Sequence, residues 1–177
     1  GLNQPDITVS GVELVAGGVT AVVAAQGADA GTADNTLSSI EQAEFTGGDS
    51  GNLMDASAFM LGPVTFSGGY GNDVLIGGND ADILAGGPDN DQITGNAGND
   101  TLRGDEGNDV IVANRDVNFT LGNEALTITG SSIVGTETDL LSGFEYADLT
   151  GGPSDNNIDT SNFTGLSGTT KTYQLNN

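Results

Sequence analysis

Five aspartates that recur every nine residues are the side chains best suited to chemistry in this chain. Carboxylates at a fixed spacing can hold a divalent cation. The chain has no His and no Cys, which excludes the usual ligands of zinc, copper and iron–sulfur clusters. Oxygen donors on flexible, glycine-rich turns favour calcium over magnesium. The five residues are Asp73, Asp82, Asp91, Asp100 and Asp109.

Each aspartate is the sixth residue of a nine-residue unit, and five such units fill residues 68–112 without a gap. The first six residues of a unit favour turns, and the last three form a short strand whose middle side chain points inward. A strand this short is stable only when units stack as a coil with two units per turn. Every unit opens with glycine, at Gly68, Gly77, Gly86, Gly95 and Gly104, and its eighth residue is apolar, at Leu75, Leu84, Ile93, Leu102 and Ile111.

Stacking of the turns would bring alternate aspartates within about 4.8 Å of each other, in two rows. Two bare carboxylates about 5 Å apart repel by about 3 kcal/mol at an effective dielectric near 20. A divalent cation between successive turns reverses the sign of this interaction. The sequence therefore predicts an all-β parallel solenoid whose turns are joined by metal ions.

The unit resembles the calcium-binding nonapeptide of the RTX (repeats-in-toxin) family, whose pattern is GGxGxDxUx. The resemblance implies a right-handed parallel β-roll that binds about three calcium ions, each through two aspartates and four backbone carbonyls. By position, the first site would use Gly69, Gly71 and Asp73 with Gly86, Pro88 and Asp91; the second, Gly87, Asp89 and Asp91 with Gly104, Glu106 and Asp109; the third, Gly78, Asp80 and Asp82 with Gly95, Ala97 and Asp100. A fourth site would pair Asn96, Gly98 and Asp100 with a degenerate unit near Ala113 to Asn118.

Four positions of the repeat depart from the RTX pattern. Asp80 and Asp89 replace the glycine at the fourth place, and Asn96 and Asp105 replace the glycine at the second place. Glycine at these places usually serves a positive φ angle, which Asp and Asn tolerate better than other residues. We therefore expect these turns to keep their conformation.

A longer repeat flanks the block, because residues 35–59 match residues 139–163 without a gap. Each copy contains a degenerate unit in which Asn52 or Asn156 replaces the aspartate. We expect these units to be metal-free turns bridged by amide hydrogen bonds, with calcium binding by Asp55 and Asp159 as the alternative.

Five segments follow from these repeats. They are an N-terminal β segment (1–36), a first degenerate solenoid repeat (37–67), the calcium-binding block (68–112), a connecting β segment (113–138) and a second degenerate solenoid repeat (139–177). Strands are predicted within 7–9, 12–14, 19–25, 64–66, 117–121, 125–129 and 171–175, a helical turn or two within 38–45, and a loop over 130–138.

Charge and composition exclude several functions. A net charge of −22 with only three basic residues argues against nucleic-acid or anionic-membrane partners. No run of about 18 apolar residues exists, so we expect no membrane insertion. The absence of His removes a Ser–His–Asp triad, although Gly47 to Asn52 superficially resembles a serine-protease loop. The sequence thus predicts a protein that is not an enzyme.

Three functions remain. The first is a calcium-stiffened module of a secreted bacterial surface adhesin or extracellular fibre, with tandem neighbours or end-to-end assembly of copies. The second is the RTX secretion and folding domain of a larger secreted protease or lipase. A third is a carbohydrate-binding module. The resemblance places all of them outside the cell or at its surface.

Overall fold

The protein is described by a computed structural model that covers residues 7–8, 19–24, 40–60, 62–130, 135–165 and 172–174. All regular secondary structure within these residues is β-strand. The strands are β1 (Ile7–Thr8), β2 (Val19–Ala24), β3 (Ile40–Thr46), β4 (Leu53–Asp55), β5 (Val64–Ser67), β6 (Val74–Ile76), β7 (Ile83–Pro88), β8 (Gln92–Thr94), β9 (Thr101–Glu106), β10 (Val110–Asn114), β11 (Asn118–Gly122), β12 (Ala125–Thr129), β13 (Thr136–Ser142), β14 (Tyr146–Thr150), β15 (Ile158–Asn162) and β16 (Thr172–Gln174).

Successive strands of the repeat block alternate between two sheets. The seven-stranded sheet has the order β1-β4-β6-β8-β10-β14-β16, and the nine-stranded sheet has the order β15-β11-β12-β13-β9-β7-β5-β3-β2. From β3 to β10 all pairings are parallel. The fold is therefore all-β, a β-roll of short parallel strands, as the sequence predicts.

The eighth residue of each unit forms the inner column of the coil. Leu75 pairs with Ile93 and Ile93 with Ile111 in one sheet. Leu84 pairs with Leu102 in the other sheet. All five are at most 1% exposed, and they belong to one hydrophobic cluster that runs from Ala43 to Phe163. The inward column is confirmed, whereas the division into five segments stays a prediction.

An antiparallel meander interrupts the coil after the repeat block. Strands β11, β12 and β13 pair antiparallel with one another, and β13 then pairs parallel with β9. Strands β11 and β12 lie in the segments predicted to be strands. The predicted loop over 130–138 is wrong at its end, because β13 begins at Thr136. As a result, Leu141 of β13 pairs with Leu102. A residue of β11 would have this place if the coil continued directly after the repeat block.

The longer repeat has matching strand pairings in its two copies. Strand β16 pairs parallel with β14 as β5 pairs with β3, but the registers differ: Asp148 pairs with Thr172, 24 residues further on, whereas Ala43 pairs with Val64, 21 residues further on. The predicted helical turn over 38–45 is wrong, because β3 covers Ile40–Thr46 and lies between two parallel partners. Ala43 and Phe45 are buried while Gln42 and Glu44 are exposed, which is the two-residue period of a strand.

Strands β1, β2 and β16 lie in stretches predicted to be extended, and the predicted strand at 12–14 lies outside the described residues. A search of the described residues for a helix long and apolar enough to cross a membrane finds none.

Candidate metal centre

The five repeat aspartates lie in two rows and are joined by hydrogen bonds between successive turns. The Asp73 N–H donates to Asp91 Oδ1 at 2.7 Å, and the Asp91 N–H donates to Asp109 Oδ1 at 2.8 Å. In the other row the Asp82 N–H donates to Asp100 Oδ1 at 2.9 Å. The partners of each bond are 18 residues apart, which is one turn of the coil. The side chains are at most 1% exposed.

The second carboxylate oxygen of most of these residues has no protein partner. Oδ2 of Asp73, Asp91, Asp100 and Asp109 is buried and accepts no hydrogen bond. Only at Asp82 does Oδ2 accept a backbone N–H, from Gly78. A buried, unpaired carboxylate oxygen is costly unless a proton or a cation neutralises it. These four oxygen atoms are therefore available as ligands to a cation.

The opening glycine of a unit lies beside the Oδ2 atom of that unit's aspartate, whether this oxygen is unpaired, as at Asp73, or accepts the Gly78 N–H, as at Asp82. A Cβ on Gly68 would lie 2.1 Å from Asp73 Oδ2 and 2.5 Å from the carbonyl oxygen of Gly86 in the next turn. A Cβ on Gly77 would lie 2.5 Å from Asp82 Oδ2 and 2.6 Å from the Gly95 carbonyl oxygen. A carboxylate oxygen and a carbonyl oxygen thus flank the same point, and calcium prefers such hard oxygen ligands. The residues present fit a calcium ion.

Burial disfavours the charged form of these carboxylates when no cation is bound. Desolvation raises the pKa of Asp73 to about 6, of Asp91 to about 7 and of Asp100 to about 8, and it also raises the pKa of Asp82 and Asp109. Backbone hydrogen bonds oppose these shifts, whereas neighbouring carboxylates add to them. The charged form of the row therefore needs a cation.

The turns predicted to supply carbonyl ligands lie next to each other. The Gly69 N–H donates to the Gly86 carbonyl at 3.1 Å, and the Ala97 N–H donates to the Gly78 carbonyl at 3.4 Å. Pro88 pairs with Glu106 in the two turns of the second site. No group of three or more acidic side chains within the described residues could hold a metal by itself. Which carbonyls bind each ion stays a prediction.

Three of the four residues that replace a repeat glycine have the positive φ angle expected there. Asp89, Asn96 and Asp105 have φ angles of 83°, 70° and 71°. Asp80 does not have a positive φ angle. The neighbouring Gly78 lies against the carbonyl oxygens of Ala56 and Phe59, so the turn of this unit stacks on a non-repeat turn.

The segment predicted to complete the fourth site with the turn of Asp100 is wrong. Residues 113–118 do not take the next place in the row; Asp139 takes it, and its Oδ1 accepts the Asp100 N–H at 3.1 Å. The segment supplies a cation instead of ligands, because Arg115 Nη1 donates to the Asn96 carbonyl at 2.8 Å and also pairs with Glu137. Asp139 is 2% exposed, and burial raises its pKa to about 6.

Sequence reasoning missed two features of the rows. Asp139 stands two residues before Leu141, which is the spacing of the repeat and could have identified it. The fifth residue of a unit is Asn in four of the five units, and these asparagines form a ladder outside the aspartates. The Asn90 N–H donates to Asn72 Oδ1 at 3.0 Å, and the Asn108 N–H donates to Asn90 Oδ1 at 2.9 Å.

The degenerate units use their asparagines in different ways. Asn156 Nδ2 donates to Asp116 Oδ1 at 3.0 Å and so bridges two turns. Asn52 Oδ1 accepts the Gly48 N–H of its own unit at 3.0 Å, while the Asn52 N–H donates to Asp73 Oδ1 at 2.7 Å. Asp55 and Asp159 each accept a serine N–H two residues later. That these turns bind no metal stays a prediction.

Short parallel strands that alternate with stacked acidic turns define a metal-binding β-solenoid. Within that class, residues 65–93 and 86–119 match the family model of the RTX calcium-binding nonapeptide repeat (4 copies). Residues 65–119 are therefore similar to RTX calcium-binding repeats, and the resemblance seen in the sequence is confirmed for this segment. No curated protein and no solved structure matches the chain.

Proposed function

We propose that this chain is a calcium-dependent structural module of a secreted bacterial adhesin or extracellular fibre. The observation that carries the proposal is the set of four buried Oδ2 atoms without a partner, aligned in rows along the coil. RTX repeats are calcium-binding structural units rather than catalytic ones. The function of the block is then to become rigid when calcium enters its turns.

Folding outside the cell follows from the charge of the chain. A net charge of −22 and the buried aspartates oppose the coil in the absence of metal. Extracellular calcium sites have dissociation constants of roughly 0.1 to 1 mM, which cytosolic calcium does not approach. The module would therefore stay unfolded inside the cell and fold after export.

The cavities support a structural role. A groove of about 190 Å³ beside β3 and β5 and a void of about 10 Å³ near Arg115 are both smaller than the roughly 300 Å³ at which ligand pockets begin. Neither lies at the aspartate rows of the first two predicted sites. These volumes favour a role of the acidic turns in the coil itself.

Tandem or end-to-end arrangement is supported by the matching pairings of the two repeat copies. Strand β16 pairs parallel with β14 as β5 pairs with β3, with a register that differs by three residues. Strands β1 and β16 are the outer strands of one sheet, and β2 and β15 are those of the other. Within the described residues each of these strands pairs on one side, and the outer strand of a sheet is a surface on which a further strand can pair. A chain that stays monomeric at high concentration in millimolar calcium would exclude self-assembly and leave a spacer role.

Circular dichroism during a calcium titration tests the central proposal. We expect the β signal and the melting temperature to rise together with calcium and to fall when a chelator is added. Electron microscopy of the calcium-loaded product would show whether it forms fibres. A chain that keeps its full β signal and melting temperature in excess chelator would refute the proposal.

The second candidate is the secretion and folding domain of a larger secreted protease or lipase. The short length of the repeat block, which spans five units between other β segments, favours it. The number of such blocks in the parent protein discriminates the two. One block beside a catalytic domain favours the enzyme, and many blocks in tandem favour the adhesin.

A further inference from the structure

The row of Asp73, Asp91 and Asp109 continues beyond the RTX repeats. The Asp109 N–H donates to Glu145 Oε2 at 2.9 Å, just as the Asp73 N–H donates to Asp91 Oδ1 at 2.7 Å. Glu145 is 36 residues further along the chain and lies outside the segment that matches the RTX family. A carboxylate therefore follows Asp109 in the row, although the nonapeptide pattern has ended.

Asp109, the last aspartate of the block, has the same unpaired Oδ2 atom as Asp73, Asp91 and Asp100. Its side chain is 0% exposed, and its Oδ2 atom is buried without a hydrogen-bond partner. Its Oδ1 atom is already used, because it accepts the Asp91 N–H. The free oxygen lies on the side of Gly104, where a Cβ would approach it to 2.5 Å.

A carbonyl oxygen of the following turn lies close to the same point as this free oxygen. The point where a Gly104 Cβ would stand is 2.0 Å from the Gly143 carbonyl oxygen and 2.5 Å from Asp109 Oδ2. The equivalent point at Gly68 has the Gly86 carbonyl oxygen at 2.5 Å and Asp73 Oδ2 at 2.1 Å. Gly143 thus presents its carbonyl as the opening glycine of a repeat does.

The turn from Gly143 to Glu145 reaches this geometry by a different route. Its carboxylate comes two residues after the glycine, whereas the aspartate of a repeat comes five residues after it. The longer side chain of glutamate spans the distance that the shorter turn leaves. The Glu145 and Tyr146 N–H groups donate to the Asp109 carbonyl at 3.3 Å and 3.0 Å, and Phe144 is buried in the core. The turn is therefore fixed against the repeat block.

We propose that a further calcium ion binds between Asp109 and the turn at Gly143–Glu145. The carboxylates of Asp109 and Glu145 and the carbonyl of Gly143 are among its ligands. The site rests on the proposed calcium binding by the repeat block. It joins the second copy of the longer repeat to the block, so that calcium also orders the chain beyond the meander.

Counting bound calcium by equilibrium dialysis tests the site. Glu145→Gln keeps the shape and one acceptor for the Asp109 N–H but removes the charge. Glu124→Gln is the matched control, because Glu124 is an exposed residue of the meander outside the row. We expect Glu145→Gln to bind one calcium ion fewer than the parent chain, and Glu124→Gln to bind the same number. The loss corresponds to an affinity decrease of more than about tenfold at that site.

The possible outcomes distinguish failure of this site from failure of calcium binding by the repeat block. If the parent chain binds calcium and Glu145→Gln binds as many ions with the same affinities, only the further site is refuted. Equal losses in the two variants would also refute it, since they indicate a general charge effect. If the parent chain binds no calcium, the proposed function fails as well. Should Glu145→Gln fail to fold, Glu145→Asp keeps the charge, and we expect it to retain the full number of ions with weaker binding of one.

Discussion

The two oxygens of each repeat aspartate have separate roles. Oδ1 accepts an N–H from the neighbouring turn and so fixes the side chain, while Oδ2 remains free at four of the five residues. Asn52 in the same row has a single side-chain oxygen, and this Oδ1 accepts the Gly48 N–H of its own unit. A carboxylate has a second oxygen, which leaves Oδ2 available to a cation after Oδ1 has joined the row.

If cations bind between successive turns, the position of an aspartate within its row would set how many cations it binds. Asp91 stands between Asp73 and Asp109, whereas Asp73 stands between Asp91 and the uncharged Asn52. We expect Asp73→Asn to raise the calcium midpoint of folding by about tenfold and Asp91→Asn to raise it further, because a lost ligand costs at least as much as a lost outer-shell partner. Calcium titrations followed by circular dichroism measure both. Equal shifts would contradict the stacking order.

The opening glycines are required by space rather than by a positive φ angle. A Cβ on Gly86 would lie 2.1 Å from Asp91 Oδ2, so we expect Gly86→Ala to displace the carboxylate and to destabilise the calcium-loaded chain by about 1–3 kcal/mol. Gly122→Ala is the control, since its Cβ would find no atom closer than 3.7 Å. Urea unfolding in saturating calcium compares the two. Similar losses in both variants would argue against a tight site beside Asp91.

At the level of elements, the sequence predicts what is local and repetitive. The nine-residue period places Leu75, Ile93 and Ile111 in one buried column, because each strand pairs with the one a turn away. Contacts across the meander could not be predicted in the same way. Asp139 meets Asp100 across 39 residues and Glu145 meets Asp109 across 36. Their places depend on how three antiparallel strands return the chain to the coil.

The turn at Arg115 links the meander to the block. The Arg115 side chain is 22% exposed and pairs with Glu137 and with the Asn96 carbonyl. The Arg103 side chain is 54% exposed and pairs with Asp105. Loss of a partly buried charged partner leaves acceptors unsatisfied and costs about 1–3 kcal/mol. We expect Arg115→Met to lower the free energy of unfolding by that amount.

Arg103→Met is the matched control, because an exposed ion pair contributes about 0–1 kcal/mol. Thermal unfolding in saturating calcium measures both variants. If Arg103→Met were as destabilising as Arg115→Met, the pairing with Asn96 and Glu137 would not explain the effect.

For the whole molecule, calcium and protons are alternative ways to neutralise the buried rows. The pKa values of Asp73, Asp91 and Asp100 in the folded, metal-free chain are about 6, 7 and 8, above the ordinary value of 3.8. The folded chain therefore binds more protons than the unfolded chain between about pH 4 and pH 8. Stability from these groups is complete below about pH 4 and is lost as the pH rises through the folded-state values.

Without calcium, we therefore expect the chain to have a stronger β signal and a higher melting temperature at pH 5 than at pH 8. With saturating calcium the order reverses, because the ion needs deprotonated ligands and competes with protons for them. Binding at pH 6 should also release protons, which a pH-stat titration measures directly. If the pH dependence were the same with and without calcium, protons and calcium would not share the carboxylates, and the rows would not be the site at which calcium stabilises the coil.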